Sequence, residues 1–571
     1  MVTRTRCSAP GASLITLLLL VSACGPASAV SERAQAPQPR APKVLTWAAQ
    51  REPSDFLAAS GLGSTGAPTA QFRKIAQDSL LVRDNNGTPH PRLAVELPSV
   101  EKGTWRVNAD GTGETIWKLH PNVLWHDGTP FTSEDLLFYF TVFTDPAFPL
   151  GGRIPGSELM ASAAAPDPTT FVIHWSRPYY KADETPAFAP LPRHLLEVVY
   201  QQKDIESFVN HPYFRTDFVG VGPYRLVRWE QGSHMEFVRF DEYYLGRPPL
   251  DQVILRFIPD FSTMLTNSLA GAVDIALPIG DLEPLLDIER RWEGTGNRLQ
   301  TDSGDSMRFL EIQHRQEHAR PRNGPSNRSV REALYHATDR QALSEVSTLG
   351  HAPIADSWLH PMDRWRRELE PFIPQFPYDP GRAQQLLAQA GWLRGSDGIL
   401  AHQESGDRFE TEIWSRPAAG SERELELISS MWRAVGVAGR TFAVSTARLT
   451  DREYMATQPG VLITNPAVED IYNGARHHSR NISAPSNRWA GRNLGGYNSP
   501  AADALMDRLV TTIQPAEQIA LHRQLLQEMM ADIPIVPLYW EAKAALVLKS
   551  VKGTVTGNET GWNIFTWDKE A

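Results

Sequence analysis

Four short stretches carry residue types that do chemistry. His477-His478 offers two imidazoles, and Ser303-Gly-Asp-Ser306 sets serines beside an acid. Gly61-Leu-Gly63-Ser-Thr-Gly66 fits the GxGxxG pattern, and Trp414-Ser-Arg416 places an aromatic next to a guanidinium. The first three would mean metal ligation, nucleophilic catalysis and dinucleotide binding, and each falls short on context. Adjacent histidines point apart on a strand or by about 100° on a helix. With no CxxC or HExxH to support them, they read as a solvated loop pair. The serine motif lacks the glycines that follow a nucleophile, and no His/Asp partner is evident. A dinucleotide fingerprint needs its glycines directly after a strand. The nearest strand-like run, Val44 to Ala48, ends about a dozen residues earlier, so the glycines read as a loop. The fourth stretch is better suited to its chemistry. An aromatic face can stack a ligand while the arginine takes its carboxylate, the alternative being core packing or a surface salt bridge. Gln50 and Arg51, just after the first strand-like run, and Trp489 are further candidates to line a pocket.

Mixed elements must position these residues. Segments 169–175, 224–229, 235–240 and 253–258 alternate apolar and polar side chains as half-buried strands do. Asp127-Gly128 is a turn signal. Thr132-Ser-Glu-Asp135 and Ser329-Val-Arg-Glu332 are capping-box patterns that predict helix starts. Asp379-Pro380 and Ser499-Pro500 each set an N-cap before a proline at the first helical position. Strands and helices are spread along the whole chain, which makes it α/β.

The N-terminus supplies an address. Arg4 and Arg6 precede an apolar run, residues 11–23, that is too short to span a bilayer, which needs roughly 20 apolar residues. Its end, Val21-Ser-Ala-Cys24, resembles the lipobox of bacterial lipoproteins. That resemblance implies cleavage after residue 23 and acylation of Cys24; the alternative is an ordinary signal peptide cut after Ala29. Residues 24–42, with Pro26, Pro37, Pro39 and Pro42, read as a flexible tether. The only other cysteine, Cys7, leaves with the signal, so no disulfide staples the mature chain. About 530 residues remain, enough for two or three domains. Net charge is −10, or −12 without residues 1–23, which argues against nucleic acid as a partner.

Several segments, in order, resemble family 5 extracytoplasmic solute-binding proteins, the oligopeptide, dipeptide and nickel binders of ABC importers. They include residues 117–138, 191–197, 219–232, 241–260, 269–276, 330–343, 378–392 and 495–506. The resemblance implies a two-lobed periplasmic-binding-protein-like fold, type II and cluster C-like, with an extra domain on the first lobe. It places lobe I at 43–80, 217–302 and 532–571, the extra domain at 81–216, and lobe II at 303–531. It implies a hinge at Gly220, Gly222 and Tyr224, with a second crossover near 300–305, so that the lobes close over a ligand. In the peptide binders of the family, a tryptophan and then an aspartate border the cleft, and the aspartate meets the ligand's amino terminus. Leu462 and Asn465 stand there in this chain, with Glu469 and Asp470 near enough to compensate. An amide supplies no full charge for an ammonium group, so weak selectivity for a free amine is expected.

The expected protein is a lipid-anchored monomer that captures a peptide or similar small solute and delivers it to the transmembrane subunits of an ABC permease. It carries no cofactor, no metal and no catalytic residues. The alternatives are an exported peptide-binding sensor or chaperone-like lipoprotein, and an exported hydrolase. The last would need paired carboxylates or a nucleophile with its base.

Overall fold

A computed structural model describes residues 40–53, 55, 67–148, 156–184, 188–277, 282–417, 420–465, 474–557 and 559–570. The chain divides into two units, Met1–Ala41 and Pro42–Ala571, and the second carries all the elements described below. The signal segment, Cys24, the glycines at 61–66, Glu469 and Asp470 lie outside the described residues.

A 10-stranded sheet is the backbone of the structure. Its order is Ala438–Ala443, Glu410–Ser415, Val461–Thr464, Arg298–Ile312, Ile535–Val547, Ile275–Ala276, Val44–Ala49, Gln252–Phe257, His234–Arg239 and Tyr224–Glu230. Alternation along each strand sends side chains to opposite faces. In Val44–Ala49, Leu45, Trp47 and Ala49 enter one core while Ala48 enters another. In Glu410–Ser415, Ile413 and Trp414 part in the same way.

Two large cores result. The first gathers Leu45, Trp47, Trp125 and Tyr224, and it also takes in Trp117 and Phe171 from a separate 4-stranded antiparallel sheet. That sheet consists of Trp105–Val107, Gly113–Lys118, Thr170–Trp175 and Met160–Asp167. The second core gathers Leu310, Leu334, Trp392, Trp432 and Trp540.

Among the described residues, only the two longest strands belong to both halves. Arg298–Ile312 begins with Leu299 against the first half and ends with Phe309, Leu310 and Ile312 in the second core. Ile535–Val547 returns, from Val536 and Leu538 in the second core to Leu546 and Val547 in the first half. Their pairing is antiparallel and breaks register between Ser303↔Ala542 and Met307↔Trp540. The break lies where the strands pass from one half to the other. The Ser303–Ser306 motif therefore belongs to a connecting strand, not to a nucleophile turn.

Helix starts follow the caps, with one difference. The Thr132 amide donates to the Asp135 carboxylate at 2.9 Å and opens Ser133–Thr144. Asp379 and Ser499 accept from the amides of Arg382 and Ala502. At the fourth start the cap is Asn327, not Ser329. The Asn327 side chain accepts from the Ser329 and Val330 amides, so the helix Arg328–His336 begins earlier. Glu332, freed from capping, pairs with Arg328 at 2.7 Å.

Candidate functional site between the two halves

Strand direction shows where a ligand could sit. Arg298–Ile312 runs from the first half into the second. Val44–Ala49 runs in the same sense, because it is parallel to Ile275–Ala276, which is antiparallel to Ile535–Val547, itself antiparallel to Arg298–Ile312. The carboxyl end of Val44–Ala49, with Gln50 and Arg51 just beyond it, therefore points toward the second half. Val461–Thr464 is antiparallel to Arg298–Ile312, and Glu410–Ser415 is parallel to Val461–Thr464. Their carboxyl ends, followed by Arg416 and Asn465, point back toward the first half. In open α/β sheets ligands bind in the crevice outside the carboxyl ends of strands. Here two such ends face one another across the strand crossover.

Gln50 and Arg51 follow one of these strand ends, and Arg416 and Asn465 follow the ends that point the other way. Arg51 is exposed, while Gln50, Arg416 and Asn465 are half-buried. The Arg416 backbone amide donates to the Ile463 carbonyl at 3.2 Å, which ties the two strand ends together. Among the described residues no group accepts from the buried Arg416 Nε. Burial, and then the Arg476 charge, push the Arg416 pKa below its ordinary value, with Glu311 opposing. A half-buried arginine without an acid bonded to it is suited to a ligand anion.

Trp414 has a different setting. It is 6 % exposed, its ring lies 4.5 Å from that of Tyr454, and its indole N–H donates to Glu412 at 2.7 Å. It packs with Leu462, Val444 and Met455, and so anchors the strand end that presents Arg416. Trp489 borders the same cluster and is half-buried. Arg488 and Trp489 have φ of 53° and 59°, a left-handed backbone that bulky residues rarely adopt.

Two buried charge networks support the gap from the second half. Arg308 pairs with Glu424 at 2.5 Å and donates to Ser415 Oγ at 3.1 Å, while the Tyr539 hydroxyl also donates to Glu424. Glu311 accepts from the amides of Leu494 and Gly495 at 2.8 and 3.1 Å and pairs with Arg476 at 3.0 Å. Sequence reasoning missed these residues, because nothing local marks an ion pair between positions more than 100 residues apart.

The histidine pair is not solvated. His477 and His478 are each 6 % exposed. Burial pushes the His477 pKa down to about 4, so its imidazole is neutral beside Glu311. His478 Nδ1 lies 3.3 Å from Asp503. Helix packing of residues 474–511 buries the pair, which polarity alone did not forecast. Among the described residues no group of three or more His, Cys, Asp or Glu is placed to hold a metal.

Gly220 and Gly222 lie against the end of the helix Ala67–Ala76. A Cβ on Gly220 would lie 1.9 Å from the Ala76 carbonyl oxygen, and one on Gly222 2.4 Å from the Ala76 carbonyl carbon. His126 brackets them: its backbone N–H donates to the Gly220 carbonyl at 2.9 Å, and its Nε2 meets the Gly222 carbonyl at 2.9 Å. Tyr224 is fully buried in the first core. Close approach is thus the reason for these glycines. They join the segment holding His126 to the first half.

Comparison with known proteins accounts for this arrangement. Residues 89–482 match the family model of bacterial extracellular solute-binding proteins, family 5. The chain belongs to this family. Among its relatives is the oligopeptide-binding protein AppA of Bacillus subtilis, 23 % identical over 561 residues, covering 95 % of this chain and 94 % of AppA. Another is the glutathione-binding protein GsiB of Escherichia coli K12, 24 % identical over 480 residues, covering 82 % and 85 %. The solved structure of HbpA2 from Haemophilus parasuis matches the fold with a TM-score of 0.74 at 18 % identity, covering 92 % of this chain and all of that one. Family 5 proteins are two-lobed, extracytoplasmic binding proteins of ABC importers, and the relatives are binders, not enzymes. The two halves joined by the connecting strands are the two lobes.

Proposed function

We propose that this family 5 protein is a lipid-anchored receptor. It captures a peptide or similar small solute between its lobes and delivers it to the transmembrane subunits of an ABC permease. The observation that carries the ligand reading is Arg416, a half-buried guanidinium with no acid bonded to it among the described residues, at a strand end directed toward the opposite lobe. Gln50, Arg51 and Asn465 frame the same gap, with Glu469 and Asp470 following Asn465 in sequence. Trp414 acts through packing, and Trp489 borders that packing. Oligopeptides and glutathione, for which two relatives are named, carry carboxylates that such an arginine suits.

The domain division we favour keeps lobe I at 43–80, 217–302 and 532–571, the extra domain at 81–216 and lobe II at 303–531. Closure would bend the paired strands at the register break of 303–307 against 540–542. Gly220, Gly222 and Tyr224 would hold the extra domain to lobe I during that motion. Cys24 would carry the lipid, with residues 25–42 as tether.

Native mass spectrometry of the protein purified without refolding tests the site. Wild type should retain a small-molecule mass that Arg416→Ala has lost. Equal occupancy in both would overturn the role of Arg416. The anchor is tested by fractionation: Cys24→Ser should leave the membrane fraction or remain unprocessed, and a soluble wild type beginning at Val30 would overturn it.

A further inference from the structure

The last turn of the helix Ala67–Ala76 carries two cations, Arg73 and Lys74, and Arg92 lies near enough to repel Lys74. Two of the three have an acid. Lys74 pairs with Glu559, and Arg92 stands 4.0 Å from Asp78 while its guanidinium also donates to the Trp562 carbonyl. Arg73 has none. Among the described residues no group accepts a hydrogen bond from its guanidinium, and Glu559, whose charge reaches it, is taken by Lys74. Arg73 is half-buried, and burial pushes its pKa below the ordinary value, with Tyr139 and Glu559 opposing.

Arg73 forms one wall of a small pocket with Gln77, Leu191, Tyr213, Phe214 and Phe218, and these five are buried. The pocket admits about one water-sized occupant. Gln77 is committed on both sides of its amide. Its Nε2 donates to the Pro190 carbonyl at 2.9 Å, and its Oε1 accepts from the Val221 amide at 3.1 Å. The carbonyls of Arg73 and Ala76 at the helix end accept from the Gln77 and Gly222 amides at 2.8 and 3.0 Å. The pocket thus sets a guanidinium that lacks a counter-charge against apolar and aromatic walls.

We propose that this pocket binds a single halide ion on Arg73. A desolvated cation is stabilised by a partner anion, and the walls offer no acid. A phosphate or a carboxylate exceeds a water-sized space and brings several oxygens that need donors. A halide is spherical, of nearly water's size, and demands no fixed donor geometry; aromatic rings also turn positive edges to an anion. The ion would sit where residues 189–191 and 213–218 meet the helix Ala67–Ala76, beside Gly220 and Gly222, and would add a charge pair to that junction. None of these residues ends a strand at the interlobe gap, so the proposal is independent of the solute reading.

Crystals of the mature protein soaked in sodium bromide test the site, because bromide scatters anomalously. A peak beside the Arg73 guanidinium is expected in wild type and none there in Arg73→Met. Thermal melts in sodium chloride and in sodium gluconate, at equal ionic strength, read the same binding in solution. With a dissociation constant of about 10 mM, about 100 mM chloride should raise the folded-to-unfolded ratio about tenfold. Arg73→Met should lose that chloride dependence; if it fails to fold, the wild-type peak and the wild-type melts decide. Bromide peaks only elsewhere, or a chloride effect unchanged in Arg73→Met, overturn the proposal. A peak at soaking concentration with melts indifferent to chloride marks an adventitious ion only, and overturns it too.

Discussion

Arg364, from the second lobe, donates to Glu184 at 2.8 Å, while Arg83 holds the other carboxylate oxygen at 2.5 Å. Glu184 is 4 % exposed and belongs to the region of the 4-stranded sheet, so the ion pair ties that region to the second lobe. Arg364 also donates to Gln518 at 3.1 Å, and the Tyr180 amide donates to the Val510 carbonyl beside it. The halves therefore meet at a second place besides the connecting strands.

Arg364→Ala removes one of two cations from a buried carboxylate. Because Arg83 stays, the loss should be about 1–3 kcal/mol, less than for a fully orphaned charge. Urea unfolding at neutral pH measures it. A variant as stable as wild type would mean that the tie contributes nothing.

The neighbouring Asp183 gives this tie a pH dependence. Burial, then repulsion from Glu184, pushes its pKa up to about 7, while Arg364 and Lys181 pull the other way. An unfolded aspartate titrates near 4. Between about pH 4 and 7 the folded chain thus holds a proton that the unfolded chain lacks. The stability contributed is complete below about 4 and is lost as pH rises through 7. Asp183→Asn should be more stable than wild type at pH 8, by a margin that shrinks toward pH 5. A margin independent of pH would contradict the assignment.

Three histidines act in the opposite sense. Burial pushes His126 and His477 down to about 4 and His314 to about 3. Unfolded histidines titrate near 6.5, so each contributes stability present above that pH and lost as pH falls toward 4. Three such groups outweigh one carboxyl. The melting temperature should fall between pH 7 and pH 4.5, and a flat profile would show that these imidazoles titrate alike in the folded and unfolded chains.

Gly220→Ala places a methyl group 1.9 Å from the Ala76 carbonyl oxygen, a backbone atom that cannot swing aside. Overpacking of this kind costs about 1–3 kcal/mol or more. Denaturant unfolding should show it, whereas Gly232→Ala, where a Cβ meets nothing within 4 Å, should cost only its backbone strain at φ 74°. Equal, small effects at both glycines would remove the close-approach explanation.

The sequence made the elements legible where their signals are local. Alternation marked the strands Tyr224–Glu230, His234–Arg239 and Gln252–Phe257, and caps at Thr132, Asp379 and Ser499 marked helix starts within a residue or two. Asn327 displaced Ser329 because two competent caps lay two residues apart and only the fold chose between them. The site was legible in part. Gln50 and Arg51 were singled out because they follow a strand-like run, Arg416 because it stands beside Trp414, and Asn465 through the family resemblance; the structure places all four just after strands. Trp414 was ambiguous, since an aromatic beside an arginine reads alike in a pocket and in a core. His477 and His478 were misjudged because burial by a distant helix has no local signature.

The central claim is that a solute binds between the lobes and draws them together about the connecting strands. Small-angle scattering of the mature protein, freed of its retained solute and then given it back, tests this most directly. The account predicts a smaller radius of gyration in the bound state and no such change in Arg416→Ala. An unchanged radius at saturating, calorimetrically proven occupancy would contradict it.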